Sequence, residues 1–597
     1  FLIVQDYINA ARHELHVSVG PGRGSAAGSE VAYCLGITKV DPIKYDLLFE
    51  RFLNPDRISL PDIDVDFDDD GRGKVLSWVT QKYGEEKVTH IITYGTMATK
   101  MAIKDVARVQ KVPLNISNDW CKAIPDRLPD DSSGNPRKMN LKNCLECVPA
   151  LAEAQASPNP AIRDTIKYAQ MLEGNVRNLG VHACGVIICR DDVSDWVPIS
   201  TAEDKETGER LSCTQYEGSV IEDTGLIKMD FLGLKNLSTI KECVANIKES
   251  LGLDVDVDRL DIEDDATYKL YCDGRTIGTF QFESAGMQKY LRELQPSTFE
   301  DLIAMNALYR PGPMDFIPKY VQGKRDAHSI TYTHPKLEPI LNNTYGCIVY
   351  QEQVMQIFRS LAGYSLGRAD IVRRAMSKKK HSVMEQERKN FIYGIVDEDG
   401  NVEVPGCVRN GIDEASANKI FDEMAEFAKY AFNKSHAAAY ANVAYQTAYL
   451  KCHYPRQYMA ALMTSVLDSA TKISGYIAEC KELGIPVLPP DINHSDDPFT
   501  VEGDAIRFGL GAVKNVGRGL IRTMVAKRNE GGPFKSLEDF LQRMGDGELN
   551  KRAVENFIKC GAMDCFGYHR SELLAVYDAM MDSIASSRKR NSEGQMG

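Results

Sequence analysis

No apolar run in this 597-residue chain reaches the roughly 20 residues that a membrane-spanning helix needs. The opening FLIVQDYINAARHELHVSVG lacks the basic start and the small-residue cleavage site of a signal peptide. These absences lead us to expect a cytoplasmic protein with no membrane partner. No low-complexity tract is present, and no repeat with a period of about 20–50 residues announces a solenoid. The fifteen cysteines are an odd number scattered over a long chain, which does not suggest a secreted disulfide framework. One pair, Cys144 and Cys147, has metal-ligand spacing but lacks the second pair or nearby histidine that would complete a zinc set. Positive charge is in deficit, with 71 Lys and Arg against 84 Asp and Glu and a net charge of −13. That balance ordinarily argues against a nucleic-acid partner, but net charge governs solubility and steering, and basic clusters can be local. Without Met at position 1, and with the abrupt end SEGQMG, the chain reads as a fragment of something longer.

What is present is an ordinary globular composition, 43% hydrophobic and 26% charged, in a chain too long for one hydrophobic core. The first segment alternates helix and strand: an amphipathic FLIVQDYINAARH, a short VSV, a glycine-rich turn, the helical SAAGSEVAYCLG, an aspartate-bearing strand, the helix GKVLSWVTQKYG and the strand VTHIITYG. From about Thr96 the pattern turns helical and loop-rich, with DRLPDDSSGNPRKMN as an exposed excursion. Two strand candidates follow, CGVIICR and GLIKMDFLGL. Beyond Lys235 long helical patterns dominate. The expected architecture is an α/β domain interrupted by a helical insertion, then a large helical region, then small modules.

The stretch SLPDIDVDFDDD concentrates negative charge. In a strand, Asp62, Asp64 and Asp66 share one face while Ile63, Val65 and Phe67 pack on the other. Such repulsion is tolerable where a cation sits among the carboxylates. A solvated acidic turn accounts for Asp68, Asp69 and Asp70; Asp64 and Asp66, flanked by apolar residues, fit that reading poorly because unpaired buried charge is costly. Upstream, VGPGRGSAAGS runs from a strand-like segment through glycines into a helix, so backbone N–H groups would face the turn as an anion site. Arg23 and Ser25 add a guanidinium and a hydroxyl. The dinucleotide fingerprint is met only in its weaker form, with Ala27 for the third glycine, and the Walker A lysine is absent. An anion-holding turn followed by an aspartate strand suits two Mg²⁺ ions held by shared carboxylates, which can activate an attacking hydroxyl and stabilise a leaving phosphate. Asp230, a lone acid in an apolar strand, becomes the remaining metal ligand in that company, and Lys228, two residues earlier on the same face, a phosphate or hydroxyl neighbour.

VGPGRGSAAGS, LLFERFLNPDRISLPDIDVDF, ITYGTMATKMAIKDVARV, GLIKMDFLGL, LYRPGPM, YQEQVMQIFRSLAGYSLGRADIVRRAMSKKK, FNKSHAAAYANVAYQTAYLK and LPPDIN resemble, in order, successive motifs of the bacterial family C DNA polymerases, the family of DNA polymerase III alpha subunits. The similarity runs from Phe1 to about Gly567. It implies a multidomain α/β plus α fold: a polymerase-beta-like nucleotidyltransferase palm (1–95 and 186–236) with an inserted helical thumb (96–185). Helical fingers (237–495), a helix-hairpin-helix region (496–575) and a linker (576–597) would follow. It implies that Asp64, Asp66 and Asp230 bind two Mg²⁺ ions and that Gly24 and Ser25 contact an incoming triphosphate. The implied activity is template-directed DNA synthesis, with primed template DNA and dNTPs as substrates and the sliding clamp and other holoenzyme subunits as partners.

In the fingers, VRRAMSKKKHS gathers Arg373, Arg374, Lys378, Lys379 and Lys380 with no acidic residue inside the run, suited to a triphosphate or a nucleic-acid backbone. A solvated basic face is the plainer reading for the lysines. Asn433 and His436 in FNKSHAAAY, and Arg310 beside a proline-rigid turn, are candidate nucleotide contacts; equally, the histidine can satisfy backbone groups and the arginine can anchor a loop. GLGAVKNVGRGLIRTMVAKRN resembles a helix-hairpin-helix element, in which Gly517 and Gly519 let backbone amides approach a phosphate beside Lys514, Arg518 and Arg522. A tight helical hairpin with solvent-facing charges is the alternative. Gln595 would begin a clamp-docking peptide. Two rival functions remain at this point: nucleotide addition without a template, and a DNA-binding scaffold with an inactive site.

Overall fold

The structure, a computed structural model, describes residues 1–56, 61–132, 137–204, 208–377, 381–545 and 549–594. The chain forms two compact units, one built from Phe1–Leu76 with Phe231–Gly597 and the other from Ser77–Asp230. It leaves the first within the helix Arg72–Tyr83 and returns within the strand Lys228–Gly233.

In the first unit the helix α1 (Leu2–His13) turns Val4, Tyr7, Ile8 and Ala11 inward. Its Tyr7 ring packs 4.7 Å from Phe231 and 6.2 Å from Phe67. Phe67 ends the short strand β1 (Val65–Phe67), which pairs in parallel with residues 231–233. The helical majority is organised around α2 (Lys434–His453), whose alanines are buried on every side together with Tyr440 and Tyr445, as expected of a helix with no polar face. Small alanines let neighbours such as α3, the element Pro455–Thr464, approach closely. A second apolar cluster gathers Phe358, Phe391 and Phe421. A third joins Leu520, Ile521, Phe540, Phe557 and Ile558 near the end of the chain.

The second unit carries the strands β2 (Val88–Thr96), β3 (Val176–Ile188), β4 (Ile199–Glu203) and β5 (Arg210–Glu217). With residues 228–230 of β6 (Lys228–Gly233) they lie in the order β6-β3-β2-β5-β4. β2 runs antiparallel to β3 and parallel to β5. The segment between β2 and β3 folds into helices with a cluster of their own around Ile103, Trp120, Leu151 and Ile166. Among the described residues no helix is long and apolar enough to cross a membrane.

Several expectations need correction. The glycine-rich loop does not run into one helix: a three-residue turn, Ala26–Gly28, is separated from the helix Glu30–Cys34 by Ser29. The extended Ser29 caps Ala32 N–H through its hydroxyl, which halts the first turn and starts the second. The VSV segment contributes only a bridge between Val19 and Phe67. The aspartate strand is shorter than its alternation suggests, since Asp62, Ile63 and Asp64 precede β1 without joining the sheet. The hairpin of β4 and β5 was not expected, and β3 begins well before CGVIICR. Cys144 is buried in the helical cluster, and burial pushes its thiol pKa up; with Cys147 only part-buried beside it, the pair forms no metal-ligating group among the described residues.

Candidate active site

Asp66 occupies the middle of β1 and is 2% exposed. Its backbone carbonyl accepts Gly20 N–H at 2.8 Å, tying the glycine-rich loop to the strand. Arg23 Nη1 donates to Asp66 Oδ1 at 3.1 Å and to Tyr440 Oη at 2.6 Å, and the tyrosine hydroxyl donates in turn to Asp66 Oδ2 at 3.3 Å. Burial pushes the Asp66 carboxyl up, against the opposing pull of Arg23 and Tyr440. Burial alone would lower the Arg23 guanidinium, but Asp66, Tyr440 and Asp64 outweigh it and leave its pKa raised. The result is a desolvated carboxylate held by a cation that is itself one-third exposed.

Gly24 reaches the same place. Its backbone is in the left-handed region, with φ of 62°, and a Cβ there would lie 3.7 Å from Asp64 Oδ2. Gly24 N–H donates to His436 Nδ1 at 3.0 Å. An imidazole that accepts at Nδ1 is neutral, and burial together with Arg23 lowers the His436 pKa to about 4. The His436 ring packs 4.2 Å from Tyr440, one helical turn on. Ser25 follows as the residue ahead of the Ala26–Gly28 turn. Sequence reasoning thus named Arg23, Gly24, Asp66 and His436 separately, and the fold brings them together. It missed Tyr440, whose signal was its i+4 spacing from His436.

Asp68 is not part of a solvated turn. It is fully buried and accepts Ser18 N–H and Gly71 N–H, each at 2.6 Å, while Lys241 Nζ lies 3.3 Å away. Asp69 and Asp70 are exposed as expected. In the second unit Asp230 is 7% exposed. Lys228 Nζ donates to its Oδ2 at 2.6 Å, whereas its Oδ1 is buried with no hydrogen-bond partner among the described residues.

The remaining candidates divide. Arg373 is 4% exposed and is spent on Asp370 Oδ1 at 2.8 Å. Arg374 takes Asp370 Oδ2 at 2.9 Å while its side chain stays one-third exposed. Arg310 serves as a loop anchor: it donates to the carbonyls of Ala307 and Tyr430 and lies over the Phe432 ring at 4.6 Å. Asn433 is the N-cap of α2, its side chain accepting Ser435 N–H at 3.0 Å. Lys378, Lys379 and Lys380 lie outside the described residues, as does Gln595.

In the helix-hairpin-helix region, Gly517 caps α4 (Arg518–Gly531) without a side-chain acceptor, and Lys514, Gly517 and Gly519 are exposed. The open amides of that N-terminus suit a phosphate. Arg518 is exposed but already paired to Asp497 at 2.5 Å. The second hairpin differs, since Asn550 caps its own helix through Ala553 N–H. A groove of 680 Å³ is lined by Lys514 and Arg518 together with Asp69, Asp70 and Glu242.

Residues 1–233 match the family described as the bacterial DNA polymerase III alpha NTPase domain, residues 236–399 the bacterial DNA polymerase III alpha subunit finger domain, and residues 484–573 a helix-hairpin-helix motif. The chain is 46% identical to DNA polymerase III subunit alpha of Thermus aquaticus, matching over 100% of its own length and 47% of the relative's. The Chlamydia pneumoniae protein of the same name is 43% identical, with 100% and 46% covered. The Borreliella burgdorferi one is also 43% identical, with 100% and 49% covered. The chain therefore spans about half the length of the curated relatives it matches, and on these grounds it belongs to the bacterial DNA polymerase III alpha subunit family.

Proposed function

We propose that this chain carries out template-directed DNA synthesis in the cytoplasm, joining a dNTP to a primer 3′-OH with release of pyrophosphate. The observation that carries the reading is the meeting of the buried Asp66 carboxylate with Arg23, Gly24, His436 and Tyr440 in the first unit. A carboxylate suited to a metal and cationic and amide groups suited to a triphosphate occupy one place, although Arg23 and Tyr440 are 417 residues apart. In domain terms, residues 1–95 and 186–236 would be a polymerase-beta-like palm, 96–185 the thumb and 237–495 the fingers. Primed DNA, a sliding clamp and other replicative subunits are the proposed partners.

The residues fit a divalent metal. Asp230 Oδ1 is buried and accepts no hydrogen bond among the described residues, and the Asp66 charge is disfavoured by burial; a cation relieves both. Asp64, Asp66 and Asp230 would hold two Mg²⁺ ions, which when bound lower the barrier to in-line displacement at phosphorus. Arg23 would balance the charge of Asp66 between turnovers and lies beside the loop that meets the triphosphate. His436, kept neutral, fixes the Gly24 amide. Lys228 would orient Asp230 through its short ion pair. Arg374, one-third exposed, would meet a phosphate, with Asp370 and Arg373 positioning it. Lys514 and the amides at Gly517 and Gly519 would hold DNA phosphates without reading sequence.

Primer extension with Mg²⁺ and four deoxynucleotides tests the proposal against the Asp64→Ala/Asp66→Ala variant. Template-complementary extension lost in a variant that remains folded is the expected result. Retained turnover in that variant, or extension indifferent to template sequence, would overturn it.

A further inference from the structure

The second unit holds another set of ligating side chains, two of which, His182 and Cys184, the proposed DNA synthesis does not use. The pairing of β2 with β3 slips at its centre: Ile92 faces Val181 and His90 faces Val186, so residues 182–185 of β3 stand against the single residue 91. A bulge of this kind re-aims side chains out of the regular alternation. Here it turns His182 and Cys184 toward Asp230, whose backbone is in register with Gly185. One ligating atom from each of His182, Cys184 and Asp230 lies within 4.8 Å of the other two.

Two further observations make this more than proximity. Gly185 has no side chain to separate the group, and a Cβ there would lie 2.9 Å from His182 Nδ1 and 3.2 Å from Asp230 Oδ1. The Asp230 atom aimed into that space is the buried Oδ1 that lacks a hydrogen-bond partner, because Lys228 engages only Oδ2. His182 Nδ1 accepts Gly185 N–H at 2.8 Å, and Cys184 Sγ lies 3.8 Å from it. Binding at Nδ1 exchanges the two backbone hydrogen bonds it accepts, from Gly185 and from Cys184 at 3.3 Å, for a metal bond.

We propose that His182, Cys184 and Asp230 form a site for a borderline-soft divalent ion of the Zn²⁺ or Co²⁺ class, with water completing the coordination. Nitrogen, thiolate and carboxylate together suit such ions, whereas Mg²⁺ takes oxygen ligands. The site shares Asp230 with the proposed Mg²⁺ set. Resting on the function proposed above, an ion held here withdraws Asp230 from catalysis and inhibits DNA synthesis.

Co²⁺ alone, added to the metal-free full chain, is the first probe. A thiolate-to-cobalt charge-transfer band is expected, lost in Cys184→Ser, weakened in His182→Ala and retained in Cys144→Ser/Cys147→Ser, with circular dichroism confirming that each variant is folded. No band in the parent chain, or an unchanged band in Cys184→Ser, overturns the site. In primer extension, the Zn²⁺ concentration for half-inhibition should rise by at least about tenfold in Cys184→Ser, the scale on which losing even a group that only supports a ligand acts. Equal Zn²⁺ sensitivity in the two proteins overturns the inhibitory role. Should the chain extend no primer at all, the cobalt band still decides the site by itself.

Discussion

Lowering the pH should unfasten the contact between the glycine-rich loop and α2 through one imidazole. In the unfolded chain His436 takes up its proton near its ordinary pKa of 6.5, and in the folded protein burial and Arg23 delay this to about 4. Between those values the unfolded state binds more protons, so the stability His436 contributes is fully present above pH 6.5 and is lost as the pH falls toward 4. The separation corresponds to about 3 kcal/mol in total, of which about 2 kcal/mol is gone by pH 5. His436→Gln retains an acceptor for Gly24 N–H but cannot titrate. In urea unfolding, the difference in stability between parent and variant should therefore shrink by about 2 kcal/mol between pH 8 and pH 5. A difference that does not change with pH, or an NMR titration of the His436 ring centred near 6.5, would refute the argument.

Three other outcomes follow from contacts already described. Asp68→Ala strands the N–H groups of Ser18 and Gly71, which should lower stability by roughly 2–4 kcal/mol in urea unfolding; an effect below about 1 kcal/mol would mean that water replaces the carboxylate. Asp370→Ala leaves the buried Arg373 charge uncompensated and should cost about 3–5 kcal/mol, whereas Arg374→Ala should spare the fold and raise the KM for nucleotide in primer extension. Arg23→Ala removes a one-third-exposed partner of Asp66, so its effect on stability should stay near about 1 kcal/mol after solvent screening. Its loss of primer extension should be far larger, and parallel losses in both measurements would assign Arg23 a structural role only.

Much of the site was legible because its members sit in local signals: glycines before a short turn, aspartates alternating with apolar residues, a histidine just inside a helix. What could not be read was partnership over distance. Nothing near Tyr440 announces Asp66, since the alanine-rich helix around it has no polar face by which to rank positions. Asp68 was misjudged because its neighbours Asp69 and Asp70 are exposed; the deciding donor is the N–H of Ser18, on the far side of the glycine loop. Arg373 and Arg374 look alike in sequence, yet Asp370 at i−3 and i−4 draws one inward and leaves the other part-exposed. The Ala26–Gly28 turn was taken for part of a helix because Ser29 reads as a helical residue until its capping role is seen. The β4–β5 hairpin went unseen because its polar, charged residues offer little apolar alternation to mark a strand.

The bond from Tyr440 to Asp66 joins residues 374 positions apart. On the ribosome, at about 5–20 residues per second, the aspartate emerges on the order of 20–75 s before its tyrosine is made. Throughout that interval the nascent chain carries an acidic strand without the helix that completes its surroundings. Completion of this arrangement is therefore a late event of synthesis, and a chain truncated anywhere before Tyr440 would lack it however well its first domain had folded.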